Sequence, residues 1–304
     1  MNILVIFTGG TIGSSMQDGF IAPKDDNKFK LIQMYKESTG DSQKFTVVTP
    51  YTILSENLNG RYITKLMECI NIHMQERKYD GIIVLHGTDT LHYMAAGLSI
   101  VFAKTEIPLI LVSSNYPLED QRANGLYNFI HAVKYIQKRD EPGVYVSYKN
   151  RNEEEKIFMA DRIVNYDIYS DTIRAIEEKK ISSEWLLEKE GLHGIANIKV
   201  PMLKEISPIK FIRPYPGIQY EIPKYEVKAV LLGTYHSGTI NTADNELKKF
   251  CEAMKEREIH VYICGVPDGV GYESTKHYKA LGIKVLPYGT DIYWYMKLWI
   301  EYSK

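Results

Sequence analysis

The sequence predicts an α/β protein. Its larger N-terminal domain is built on a doubly wound parallel sheet, and a smaller α/β domain follows at the C-terminal end. Three observations carry this. First, short apolar runs rich in Ile, Val and Leu recur at 2–7, 81–85 and 107–112, as befits strands buried on both faces. Second, each run ends in a polar or glycine-containing turn, and a stretch with helical periodicity follows. Third, the pattern lapses across 170–220, where Pro201, Pro208, Pro214 and Pro216 fall, and resumes at Val227. The expected boundaries are 1–195 for the first domain, 196–226 for a linker and 227–304 for the second.

Taken in order, 2–7 is a strand stopped by Thr8-Gly9-Gly10-Thr11-Ile12-Gly13. Adjacent glycines allow a sharp turn and close approach of backbone to a ligand. The polar stretch 14–27 reads as a mobile loop at the mouth of that strand. Residues 45–49 form a β-branched strand. Ile63, Leu66, Met67, Ile70 and Met74 repeat at helical spacing and predict a helix over 60–76. The strand 81–85 runs into His86-Gly87-Thr88-Asp89-Thr90, with Asp89 or Thr90 placed to cap a helix over 91–103. The strand 107–112 is followed by Ser113-Ser114-Asn115-Tyr116-Pro117 and a helix over about 121–137. Residues 143–148 and 156–160 predict a hairpin across a charged turn. The second domain is expected to hold strands at 227–232 and 259–264, with helices at about 245–257 and 291–302. In the last of these, Tyr293, Trp294, Tyr295 and Trp299 mark a core or subunit contact.

Bulk composition narrows the function. Lys and Arg (37) balance Asp and Glu (38), for a net charge of −1. That balance gives no electrostatic case for nucleic acid or an anionic membrane as partner. Three scattered cysteines, Cys69, Cys251 and Cys264, form neither a disulfide framework nor a metal site. No run approaches the ~20 apolar residues that span a bilayer, and the N-terminus lacks the layout of a signal peptide. A cytoplasmic protein is the expectation, and the many tyrosines (23) hint at subunit contacts.

In a parallel sheet the Thr11 and Thr88-Asp89 turns face one edge, so residues distant in sequence converge. A threonine hydroxyl needs a base and oxyanion donors to act as a nucleophile. Thr88 and Asp89 can position a base or a water, and the backbone around Gly10 and Gly87 can supply donors. Alone, each turn is equally compatible with a glycine bend or a helix cap. A nucleotide-binding loop is disfavoured, since TGGTIG is not GxGxxG and no GxxxxGK[ST] occurs.

Together, TGGTI and HGTDT resemble the paired signatures of the bacterial-type L-asparaginase and glutaminase family. Ser55-Glu56 falls where that family places a Ser-Gln or Ser-Ser substrate-binding pair. The resemblance continues through Asn115-Tyr116-Pro117, Asn124-Gly125 and Asn128, then Gly233–Thr239 and Gly265-Val-Pro-Asp-Gly269. It implies hydrolysis of the side-chain amide of asparagine or a close analogue, with no metal and no cofactor. Thr11 corresponds to the nucleophile, Thr88 to the second threonine and Asp89 to the carboxylate that holds the substrate's ammonium. Ser55 corresponds to a ligand of the α-carboxylate. Gly10, Glu56, Gly87 and Ser113 complete the expected pocket, and Glu273 is the candidate glutamate lent by a neighbouring subunit. Homodimers or homotetramers, with sites near the subunit interface, are implied as well.

Three departures stand out. Gly19-Phe20-Ile21 occupies the place of a family tyrosine, so the ring is kept and the hydroxyl lost. The nearest alternative, Tyr35, lies far outside the motif. An ungapped alignment puts Ala160 at the family's buried lysine. Arg162, two residues on, would share its face in a strand and supply positive charge, though not a base. Lys156 reads as a solvated hairpin residue. Finally, Glu56 replaces a neutral residue. It either points to solvent or pairs with Arg162 or with the substrate's ammonium. The chain is thus expected to be an amidohydrolase, with a catalytically silent or altered-specificity relative as the alternative. His86 reads as a strand-end residue tied to backbone. His236 reads either as a turn residue or as a neighbour's contribution.

Overall fold

The computed structural model describes the chain except residues 18–19, 24–26, 77, 140, 166–168, 177–198, 268, 270 and 304, and except the side chains of 13–28. Met1–Ala175 forms one compact unit and Pro201–Lys304 belongs to another.

In the first unit the strands are β1 (Ile3–Phe7), β2 (Ser14–Gln17) and β3 (Phe20–Pro23). After helix α1 (Asn27–Thr39) come β4 (Phe45–Val48), α2 (Gly60–Gln75), β5 (Gly81–Leu85) and α3 (Leu91–Val101). Then follow β6 (Pro108–Val112), α4 (Gly125–Gln137), β7 (Gly143–Lys149) and β8 (Glu155–Met159). Six strands make one sheet in the order β4-β1-β5-β6-β7-β8. All neighbours are parallel except the antiparallel pair β7–β8, which is the expected hairpin.

The apolar runs become central strands because both faces are covered. Ile3, Val5, Ile83, Leu85, Ile110 and Val112 pack with Leu31 and Tyr35 of α1 and with Phe129, Val133 and Ile136 of α4. The alternate residues Leu4, Ile6, Ile82, Val84, Leu109 and Leu111 are fully buried as well. Each such side chain stabilises the fold by about 1.5–3 kcal/mol relative to exposure. The strand order reverses at β1, whose neighbours are β4 on one side and β5 on the other. Doubly wound sheets bind ligands at such a switch point, outside the carboxyl ends of the strands. For this chain that is the crevice between the turns after β1 and β5.

Two local expectations are corrected here. The stretch 14–27, expected as a loop, contains an antiparallel hairpin with Gln17 opposite Phe20 and Ser14 opposite Pro23. Asp18-Gly19 separates the two strands in sequence, and this dipeptide favours two-residue hairpin turns. The helix α1 was not expected. Of its described side chains only Leu31 and Tyr35 are buried, so its apolar stripe is a single i, i+4 pair.

The second unit holds β9 (Ile209–Ile212), β10 (Ala229–Leu232), α5 (Glu246–Glu256) and β11 (His260–Ile263). It ends with α6 (His277–Ala280), β12 (Lys284–Val285) and α7 (Asp291–Glu301). A parallel four-stranded sheet runs in the order β12-β11-β10-β9. The strand β9 lies within the stretch expected as connector. Leu247, Phe250, Cys251 and Met254 of α5 pack with Val230, Leu232, Val261 and Ile263. Helix α7 packs on β9 and β10, with Tyr295 stacked on Phe211 at 5.9 Å between ring centroids. Tyr293, Trp294 and Trp299 are buried, as expected for a core face.

Candidate active site

The turn after β1 is held on two sides. Thr8 donates through both its backbone N–H (3.1 Å) and its hydroxyl (2.8 Å) to the carbonyl of Leu85 at the end of β5. On the other side Ile53 N–H donates to Thr8 O (3.1 Å), and Gly10 N–H donates to Ile53 O (2.9 Å). Both glycines have positive φ, 102° at Gly9 and 75° at Gly10, a region that residues with a Cβ rarely enter. Space is closed to them as well. A Cβ on Gly9 would lie 2.2 Å from Ile53 O, and one on Gly10 would lie 2.2 Å from Gly87 Cα.

The two signature turns therefore touch backbone to backbone, Gly10 against Gly87. A third segment closes on them. A Cβ on Gly87 would lie 2.4 Å from Ser55 Oγ, and that hydroxyl donates to Asp89 Oδ2 at 3.2 Å. Thr90 donates its hydroxyl to Ser55 O at 2.9 Å. Thus the sequence that continues from β4 runs beside the first turn at Ile53 and delivers Ser55 to the second. Thr11 opens a 3-10 turn, Thr11–Gly13. It is half-buried and its hydroxyl bonds to no described residue. Thr88 is half-buried, and Asp89 is exposed.

Helix capping does not account for Thr88-Asp89-Thr90. Thr90 is the residue before α3 but makes no side-chain cap bond. Its hydroxyl and the Asp89 carboxylate both reach across to Ser55. The signal for Thr90 was its place at the end of HGTDT, but neither it nor Ile53 stood out in the sequence as part of the site.

His86 is buried. Its backbone N–H donates to Val112 O, and its Nδ1 lies 2.8 Å from Gly87 O. Burial, opposed by that bond and by Asp89, brings its pKa down to about 4. The ring is therefore neutral near pH 7 and donates from Nδ1 to the turn, the backbone role expected of it. Ser113 follows β6 and is fully buried, and its hydroxyl has no hydrogen-bond partner among the described residues. The buried Asn128 orders the same region. Its amide donates to Ser113 O (2.8 Å) and accepts from Lys149 N–H (2.7 Å).

Several sequence expectations are corrected. Gly10 N–H is committed to Ile53 O, so it does not point at a reacting oxygen. Arg162 does not share a strand face with Ala160, because Ala160–Arg162 is a 3-10 turn packed against α3 and β7. With three residues per turn, positions two apart point in different directions. Arg162 is largely buried, with its Nε 4.0 Å from Asp161 Oδ1. Burial raises the Asp161 pKa, and Arg162 opposes the rise. No ion pair joins Arg162 to Glu56 or Asp89. Glu56 is exposed, which matches its solvent-facing alternative. Lys156 is exposed and pairs with Glu153 at 2.5 Å, a solvated hairpin residue as expected. Tyr35 donates to Asp41 Oδ2 at 2.6 Å and ties down the end of α1. The side chain of Phe20 lies outside the described ones. In the second unit Glu273 is exposed and pairs with Lys276 at 2.6 Å, which holds its carboxyl below the usual range. His236 is exposed. Among the described residues no cluster of His, Cys, Asp or Glu is arranged to hold a metal, and no helix is long and apolar enough to cross a membrane.

The comparisons agree with this architecture. The family model for the asparaginase N-terminal domain matches residues 2–185. L-asparaginase 1 of Escherichia coli K12 is 27% identical over 263 residues, spanning 84% of this chain and 75% of that protein. A glutamyl-tRNA(Gln) amidotransferase subunit from Methanobrevibacter smithii is 36% identical over 254 residues, spanning 78% of this chain and 56% of that one. The chain thus aligns with little more than half of that relative's length. In structure it is similar to L-asparaginase I of Vibrio cholerae, with a TM-score of 0.73 at 23% identity, covering 100% of this chain and 93% of that one. The thermostable L-asparaginase of Thermococcus kodakarensis gives a TM-score of 0.71 at 22% identity, with the same coverage. The chain belongs to the asparaginase family.

Proposed function

We propose that this chain hydrolyses the side-chain amide of asparagine or a close analogue to the acid and ammonia. The reaction runs through an ester on Thr11. The Thr11 oxygen attacks the amide carbon and loses its proton as the carbon–nitrogen bond breaks. The nitrogen gains a proton and leaves as ammonia. Water, positioned by Thr88, then splits the ester and restores the hydroxyl. Asp89 holds the substrate's ammonium, while Ser55 and Ser113 line the pocket. The carrying observation is the contact of Gly10 on Gly87, which sets the Thr11 turn against the Thr88-Asp89 turn. The catalytic residues belong to an N-terminal domain over 1–195, with 227–304 as the smaller domain. The working form is a cytoplasmic homodimer or homotetramer in which Glu273 completes a neighbour's site.

Phe20 and Ala160, where the family carries Tyr and Lys, favour a second reading, a silent relative that binds an amino acid. Ammonia release from asparagine, glutamine and a panel of other amides separates the two. Glutamine belongs in the panel because amidotransferase subunits are among the relatives. Thr11→Ala is expected to lower the rate by about a thousandfold or more. Release that survives this substitution rules out Thr11 as nucleophile. A wild-type protein that binds aspartate yet releases ammonia from no amide establishes the silent reading.

A further inference from the structure

We propose that Lys30 and Glu119 are positioning residues for Thr11. Their ion pair clamps the first turn of α1 to the loop after β6, and α1 holds the turn that carries Thr11. The catalytic part of this rests on the reading of Thr11 as nucleophile. Lys30 Nζ lies 2.6 Å from Glu119 Oε1, so the pair joins segments 89 residues apart in sequence. The residues beside each partner meet in the core, since Leu31 and Leu118 are buried in one cluster with Ile12, the residue after Thr11. Both α1 and β3 pack on the 3-10 turn Thr11–Gly13.

The helix shows why a clamp is needed. Lysines 28 and 30 fall in its first turn, and no acidic residue does. That is the unfavourable charge for a helix N-terminus, whose dipole attracts anions and opposes cations. Glu119 brings the missing negative charge from another segment. The loop that presents it is fixed. Asn115 and Asn124 each accept the other's backbone N–H through the side-chain oxygen, at 3.0 and 3.1 Å, and Asn124 donates to Lys149 O at 2.9 Å. A helix of 13 residues is marginal by itself, and Leu31 and Tyr35 are the buried ones among its described side chains. Its far end is tied by Tyr35 and Gln137, which both donate to Asp41 Oδ2. Its near end, the one against Thr11, is tied by Lys30. Solvent reaches both partners of the pair, so it contributes little to global stability. Its effect is local, on how often the Thr11 turn loosens.

Charge reversal tests this in the full chain. Lys30→Glu and Glu119→Lys each set like charges opposite one another, and the double variant restores an opposite pair with its signs exchanged. Hydrogen exchange of the backbone N–H groups over residues 8–13, followed by mass spectrometry, reads the turn without turnover. Each single variant should speed that exchange about two- to fivefold, with the urea midpoint unchanged, and the double variant should return it to the wild-type rate. Ammonia release should follow: kcat falls by the same factor in the single variants, KM stays within about twofold, and the double variant recovers. In about 1 M salt the single variants and wild type should converge, because the pair is screened. Exchange that neither single variant alters, or that the double variant fails to restore, overturns the inference. So does an active enzyme whose kcat ignores the charge reversal. If no amide is hydrolysed, or if release survives Thr11→Ala, while exchange changes and recovers as expected, the hydrolase reading with Thr11 as nucleophile falls and the clamp on the turn stands.

Discussion

The two units carry the same device at their strand ends and use it differently. Each has a parallel sheet whose carboxyl edge is built from glycine turns and hydroxyl side chains. In the second unit these groups satisfy one another. Ser237 and Thr239 hydroxyls lie 3.2 Å apart, Thr234 donates to Gly265 O, and Asp291 pairs with Arg213 at 3.0 Å. At the edge of the first unit the pairing is incomplete. Among the described residues Thr11 makes no hydrogen bond through its hydroxyl, the buried Ser113 hydroxyl has no partner, and Asp89 has one hydrogen bond and no cation. Folding alone favours satisfied polar groups. The unsatisfied edge is the one with groups left over for a ligand.

The largest test of this contrast concerns the glycines. Gly10 and Gly282 have nearly the same φ, 75° and 74°. An alanine methyl at Gly10 meets Gly87 backbone at 2.2 Å, while at Gly282 nothing lies within 4 Å. Gly10→Ala should cost about 3 kcal/mol or more and drive the signature turns apart, whereas Gly282→Ala should cost about 1 kcal/mol from backbone strain alone. Urea unfolding of the two variants measures the difference. Equal losses would mean that the contact between the turns does not hold the edge together.

Much of this edge was legible in the sequence, because buried strands and glycine turns are local patterns. The runs at β1, β5 and β6 announced themselves by uninterrupted apolar residues, and Thr11 and Thr88 by the motifs that follow two of them. The rest depends on distant partners. Ile53 belongs to the site through its backbone alone, which no side-chain pattern marks. The four-residue strand β9 sits between Pro208 and Pro214 and exists because β10 lies beside it. Arg162 leaves the face that a continuous strand would give it because the chain tightens into a 3-10 turn at Ala160.

A smaller effect separates the two edges by pH. His86 in the folded protein binds its proton only near pH 4, whereas a histidine in the unfolded chain does so near 6.5. Between those values the unfolded state holds more protons, so stability falls as pH drops from about 6.5 to about 4. The loss should amount to roughly 2–3 kcal/mol and be absent from His86→Gln. At the other edge burial pushes the Cys264 thiol up to about 12, so it adds nothing over the same range. Denaturation followed from pH 7 to pH 4 on both proteins reads this directly. An identical acid loss in His86→Gln would place its origin elsewhere.

The smallest effect compares two serines. Ser55→Ala removes the hydroxyl that bridges to Asp89 and lines the proposed pocket. Ser237→Ala removes one partner of a half-buried hydroxyl pair. Neither is expected to cost more than about 1 kcal/mol of stability. They should part in catalysis. Ser55→Ala is expected to raise KM for the amide about tenfold, because Asp89 loses the group that orients it. Ser237→Ala should leave kcat and KM within about twofold of wild type. A matched rise in both variants would show that the second unit's turn also takes part in binding substrate, and that mutual hydrogen bonding is no sign of a silent edge.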